Sequence, residues 1–165
     1  MRTNLHDRIV QKVLPKLAQE LQKEKVISSY TRQSLKIETQ ETFSERFFPP
    51  FVIKPDLLLI LPNNKRLLVE VVNPEEAKRF IGELVYAKIL IHFQRITAAL
   101  FFVLNPENQG RHERSLSQIH ALSFLRLPKG SRIVTWPGED DKAYRTLKDF
   151  VERFTVRSVR ARIME

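Results

Sequence analysis

Leu5, Ile9, Val13, Leu17 and Leu21 recur at every fourth position, a spacing that predicts an amphipathic helix over about residues 4–26. Pro15 falls inside it and predicts a kink or break. A first strand is expected over residues 34–39. The segment QETFSERFFPPF that follows keeps neither a period of 2 nor one of 3.6, and its phenylalanines and prolines suggest a connection tucked against the body. Two apolar runs, residues 52–61 and 65–72, read as strands joined at Pro62-Asn63-Asn64, where asparagine tolerates the positive φ of a tight turn.

Asn73, Pro74, Glu75 and Glu76 mark a helix start: an Asn cap, proline in the first turn, and acids at the positive end of the helix dipole. That helix is expected to run to about Phe93. Residues 97–104 form a strongly apolar strand, followed by an expected helix over about 111–125, a short strand over 132–136, and a helix from about Asp140 to Phe154. In the last helix Ala143, Leu147, Phe150, Val151 and Phe154 make the stripe that faces inward. The order α-β-β-β-α-β-α-β-α predicts an α/β fold: a mixed β-sheet flanked by helices on both faces, in a single domain spanning residues 1–165.

Charge adds a partner class to this picture. Lys and Arg number 28 against 19 acidic residues, a net +9, as expected of a protein that meets polyanions, nucleic acid first among them. There is no cysteine, so disulfides and thiolate metal sites are excluded and any metal must be held by oxygen or histidine. That usage is compatible with a reducing cytoplasm. The first residues, MRTNLHDRIVQKVL, lack the continuous apolar core of a signal peptide or membrane span, so a soluble, cytoplasmic protein without membrane contact is expected.

Each strand of the central hairpin carries one carboxylate. If the turn is centred on Asn63, antiparallel partners have numbers summing to 126, which sets Asp56 opposite Glu70. Opposed residues share a face, with Cβ atoms roughly 4.5–5.5 Å apart. A two-residue loop would instead shift the register by one and send the two acids to opposite faces. Paired carboxylates on an apolar strand pair call for something positive, and a hard divalent cation answers that need.

Lys54-Pro55-Asp56 followed by Glu70-Val71-Val72 resembles the PD-(D/E)XK nuclease superfamily, whose restriction-endonuclease-like core order αβββαβ is also the order read for residues 4–104, with an extra αβα at the C-terminal side. The resemblance implies a Mg²⁺-dependent (or Mn²⁺-dependent) endonuclease hydrolysing phosphodiester bonds of DNA or RNA. Asp56, Glu70 and the carbonyl of Val71 would be the metal ligands. The superfamily's lysine, two positions after the acid, is Val72 here. Asn73-Pro74 adds a likeness to a group of endonucleases in the superfamily that carry Glu-Val-x-Ser-Pro before a helix, with Asn73 in place of the serine.

Two lysines are candidates for the missing catalytic one. The register arithmetic sets Lys54 opposite Val72, and a helical wheel sets Lys88 in the stripe of Ala77, Ile81, Leu84, Val85 and Ile91. The plainer reading of Lys88 is a stem packed on the core with its amine snorkelling to solvent, while Lys54 reads equally as a solvated strand-entry charge forming a salt bridge with Asp56 or Glu70. Glu20 and Glu24 lie near the apolar face of the first helix, where the superfamily often places a further acid, though solvation or capping is the better expectation. Glu83 is expected on the surface. His6, His92, His112 and His120 show no metal-ligand spacing, and His92 is expected in the core.

Arg111, His112 and Arg114 at one helix start, and Arg153, Arg157, Arg160 and Arg162 at the other end of the chain, are candidate nucleic-acid contacts. Two rival functions remain open. One is a nuclease-like scaffold that binds nucleic acid without cutting it. The other is an interaction module, such as a homodimer joined through the phenylalanine-rich residues 43–51 and the helix end Ile89 to Phe93.

Overall fold

The computed structural model describes residues 4–37, 51–73, 77–104 and 129–162. The first helix is one continuous rod over residues 5–23: α1 (Leu5–Arg8), a π-helical turn (Ile9–Val13) and α2 (Leu14–Lys23). Pro15 has no N–H to give to Gln11, and the chain answers with a wider turn instead of a break: the amide of Leu14 bonds back to Ile9. The π turn also keeps a four-residue repeat on one face, and Ile9, Val13, Leu17 and Leu21 are all buried whereas Leu5 is exposed.

The strands are β1 (Ser29–Thr31), β2 (Leu35–Ile37), β3 (Phe51–Ile53), β4 (Leu57–Ile60), β5 (Arg66–Val72), β6 (Ala98–Val103) and β7 (Arg132–Thr135). Helix α3 (Ala77–His92) crosses from β5 to β6, and α4 (Asp140–Arg162) follows β7. The result is α/β: a mixed five-strand sheet in the order β1-β4-β5-β6-β7, antiparallel from β1 to β5 and parallel from β5 to β7, with helices on both faces.

Two expectations need correction. The strand expected over 34–39 does not join this sheet; β2 pairs with β3 in a separate two-stranded sheet, and the edge strand beside β4 is the short Ser29–Thr31. The single strand expected over 52–61 is split at Lys54-Pro55-Asp56. Pro55 cannot donate to a ladder, so the run changes sheets there. The helix expected over 111–125 lies outside the described residues.

The hairpin keeps the predicted register. Leu57↔Val69, Leu58↔Leu68, Leu59↔Leu67 and Ile60↔Arg66 all sum to 126, around a loop in which Asn64 takes φ +63°. Alternation along β5 then divides the core. Leu67, Val69 and Val71 face the first helix and α4, joining Leu14, Leu17, Leu21, Leu147 and Phe150. Leu68 and Val72 face α3, joining Phe80, Leu84, Ala87 and Leu90. Glu70 lies between Leu68 and Val72 on the α3 side. The first helix and α4 are tied by Lys148 and Glu24 at 2.6 Å and by Lys16 and Asp140 at 3.9 Å. Among the described residues no helix is long and apolar enough to cross a membrane.

Candidate functional site

The polar site at the end of β5 follows from the split at Pro55. Odd-numbered residues of β5 turn their N–H and C=O toward β4, whereas Arg66 and Val72 give their carbonyls to Thr97 and Leu104 on the β6 side. Continued past its last pair, the β4–β5 register would set residue 55 opposite Val71, but residue 55 is a proline without an N–H. Side chains take the place of the missing strand. The Val71 amide donates to Asp56 Oδ2 at 2.9 Å, and the Val71 carbonyl oxygen lies 3.0 Å from His6 Nε2.

Glu70 is the one buried charged residue among those described, at 5 % exposure. Burial pushes its carboxyl well above the usual carboxylate range, and the neighbouring charges of Asp56 and Glu83, both negative, push it the same way. The strand register itself ends at Leu57↔Val69, one residue short of the Asp56–Glu70 pair expected from the sequence.

His6, from the first turn of α1, closes the site from the opposite layer. Its Nε2 stands 3.8 Å from Asp56 Oδ2, and its Nδ1 stands 3.3 Å from Asp7 Oδ1. The His6 and Asp56 side chains are 16 % and 18 % exposed, sheltered but open to solvent. Sequence spacing gives no sign of His6, which lies 50 residues before Asp56, whereas Glu20 and Glu24 stand at the far end of the same helix. Glu24 is exposed and engaged by Lys148. The one available signal was a histidine followed by an acid in the first turn of a helix.

Val71 O and His6 Nε2, 3.0 Å apart, are at hydrogen-bonding distance; the carbonyl can only accept, so the ring N–H donates to it. Among the described residues no group of three or more His, Asp and Glu side chains is arranged to hold a metal ion.

The other candidates are placed as follows. Lys54 is exposed in the break between β3 and β4 and does not pair with Val72, correcting the register extrapolation. Val72 itself is 2 % exposed and packed under α3. Lys88 is half-buried on α3, beside a buried stripe of Phe80, Leu84, Ala87 and Leu90; Val85, expected within the stripe, is exposed. Glu83, expected on the surface, is half-buried and acts on Glu70. His92, expected in the core, is exposed with its ring edge-on to Phe93.

Arg111 and Arg114, with His112, lie outside the described residues, as does most of the phenylalanine-rich 43–51 segment. Arg153 is exposed on α4, which also carries Arg157 and Arg160. The adjacent Phe154 carbonyl accepts from Asn63 in the β4–β5 turn. Arg153 thus stands at the hairpin end of the sheet, roughly 20 Å along β5 from Glu70. Comparison with protein families, curated proteins and solved structures finds no match to the chain.

Proposed function

We propose that the chain is a metal-dependent endonuclease of PD-(D/E)XK type, with a restriction-endonuclease-like core, that hydrolyses phosphodiester bonds of DNA or RNA. The observation that carries this reading is the pairing of buried Glu70 with Asp56 at the end of β5, beside a Val71 carbonyl that Pro55 leaves without a strand partner. Two carboxyl groups held this close without a cation favour protonation, and a dication removes that conflict. Asp56, Glu70 and Val71 would hold it. The bound ion would supply Lewis-acid stabilisation of charge at the phosphoryl group and lower the pKa of an attacking water.

The chain's own groups do the rest. Asp56 holds the end of β5 in place through the Val71 amide, and Glu70 presents its carboxylate from a dry wall made by Leu68 and Val72. Of the two lysines, Lys54 would be the one to position water or steady the phosphate, on its nearness to Asp56 in the sequence. It is two residues from Asp56, whereas Lys88 lies five residues beyond Glu83, about 7.5 Å farther along the helix axis. A net charge of +9 favours a polyanionic substrate, and Arg153, Arg157 and Arg160 would grip its backbone away from the carboxylates.

Purified protein incubated with single- and double-stranded DNA and RNA, with Mg²⁺ or Mn²⁺, tests the proposal. Cleavage that disappears in Asp56→Ala and Glu70→Gln supports it; intact substrates under every condition reject it. The burial of Val72 in apolar packing, where the superfamily has its lysine, favours a second reading: a scaffold that binds nucleic acid without cutting it. That reading expects salt-dependent binding with no cleavage.

A further inference from the structure

Toward the other end of β5 from Glu70 lies a cleft of about 390 Å³ between two turns. Asn64, Lys65 and Arg66 line it from the β4–β5 hairpin, and Gln94, Arg95 and Thr97 line it from the chain that leaves α3. The Thr97 amide donates to the Arg66 carbonyl at 2.7 Å and ties the two walls together. Arg66 and Glu70 are four residues apart on β5, about 13 Å along the strand, so the cleft and the carboxylates are separate places.

Three cations and no acid line this cleft. Lys65 is half-buried, Arg66 and Arg95 are exposed, and among the described residues none of the three has a carboxylate within ion-pair distance. A neighbouring cleft of about 270 Å³ differs in this respect, since Lys25 and Glu152 both line it and offset each other. Like charges gathered round one concavity repel, and an anion between them relieves the repulsion. Structural duties do not account for the three. β5 is paired on both sides, so Lys65 and Arg66 guard no sheet edge. Arg95 follows a helix whose Ile89, Leu90 and Ile91 carbonyls already accept the amides of Phe93, Gln94, Arg95 and Ile96.

We infer that the cleft is a phosphate-binding site, independent of the reading of Asp56 and Glu70. Arg66 and Arg95 supply planar forks that match paired phosphate oxygens, and Lys65 supplies a point charge. The side-chain amides of Asn64 and Gln94 and the hydroxyl of Thr97 are neutral donors on the same lining. The backbone amides of Asn64, Lys65, Gln94, Arg95 and Thr97 are all bonded within the protein, so recognition falls to side chains. Arg153 adds positive charge at the same end of the sheet, next to Phe154, whose carbonyl accepts from Asn63.

NMR of the ¹⁵N-labelled full chain, titrated with inorganic phosphate at constant ionic strength in chelator, tests the inference. Saturable shifts should concentrate at the amides of Asn64, Lys65, Arg95 and Thr97. Arg66→Gln combined with Arg95→Gln should weaken phosphate binding at least about tenfold, as the loss of charge-assisted hydrogen bonds requires. Lys12→Gln, which removes an exposed charge from the first helix, should change it by less than about twofold. Both arginines are exposed, and an unaltered spectrum away from the cleft verifies that the double variant is folded. Absence of saturable shifts at these amides overturns the inference, as does equal weakening in Lys12→Gln.

Two further ligands identify what carries the phosphate. A 5′-phosphorylated oligonucleotide that shifts the same amides at lower concentration than adenosine monophosphate upholds the site with a nucleic-acid strand as bearer; the opposite order upholds it with a free nucleotide. Failure of the nuclease reading looks different. Phosphate bound in the cleft with no cleavage of any nucleic acid upholds the cleft and rejects the endonuclease, whereas cleavage without shifts at the cleft does the reverse.

Discussion

The amide of Val71 donates to Asp56 Oδ2 at 2.9 Å, in the place where a strand partner would stand if residue 55 were not proline. Asp56 therefore has a structural duty separate from its charge. An asparagine keeps an acceptor oxygen for that amide; an alanine leaves the N–H without one, at a cost of about 1–3 kcal/mol. We expect Asp56→Asn to unfold in urea close to the parent midpoint and Asp56→Ala to unfold clearly earlier. Both should lose divalent-ion binding. Equal midpoints for the two variants would refute the hydrogen-bond duty.

Glu70 makes the metal-free protein sensitive to pH. Its folded pKa lies above the unfolded value of about 4.3, because burial and the charges of Asp56 and Glu83 disfavour the ionised form. The native state thus holds this proton more tightly than the unfolded chain. The stabilisation is fully present below about pH 4.3 and is lost as pH rises through the folded pKa. Glu70→Gln, which cannot ionise, should match the parent in Tm near pH 4–5 and exceed it at pH 8 by at least about 2 °C, the shift that 1 kcal/mol gives a domain of this size. Melting curves across that range, in chelator, read the difference; a gap that does not grow with pH contradicts the assignment.

Much of the hairpin was legible in the sequence because its determinants are local. Asn63 and Asn64 fix a loop whose register carries through to Leu57 and Val69. Strict alternation on β5 then sets Glu70 on the face of Leu68 and Val72. His6 and Ser29–Thr31 were not legible, since each is defined by a partner far away in sequence: His6 by the carbonyl of Val71, and the three-residue strand by Leu58–Ile60. Wheel arithmetic on α3 failed at Val85 for a related reason. The sheet meets the helix along Phe80, Leu84, Ala87 and Leu90, a stripe shifted from the one that hydrophobicity alone suggests.

Two helices stop in the same way, and each leaves an improvable residue. After α2, Lys25 N–H bonds to Gln22 and Val26 N–H to Leu21; after α3, Gln94 N–H bonds to Ile91 and Arg95 N–H to Leu90. These are Schellman ends, and their left-handed residues, Lys25 at φ 59° and Gln94 at φ 55°, are not glycine. Lys25→Gly and Gln94→Gly should each raise stability, by about 0.5–1 kcal/mol. Gly130, by contrast, takes φ 93°, and an added Cβ would lie 2.8 Å from the Phe154 ring. Gly130→Ala should lower stability by about 1–2 kcal/mol or more. Urea unfolding of the three variants checks the signs together.

The two lysines are separated by where they stand. Lys54 is exposed two residues before Asp56, while Lys88 is half-buried on α3, five residues beyond Glu83. A surface substitution at Lys54 should leave Tm nearly unchanged, within the roughly ±0.5 kcal/mol usual for such sites. If its amine steadies the phosphate or positions water, Lys54→Met should lower kcat by about a hundredfold while leaving Mn²⁺ affinity intact. Lys88→Met should keep kcat within about threefold of the parent, because the charges that act on Glu70 are those of Asp56 and Glu83 and not that of Lys88. The reverse pattern, loss of cleavage in Lys88→Met with Lys54→Met active, would place the working amine on α3 and require that helix to shift toward the carboxylates when substrate binds.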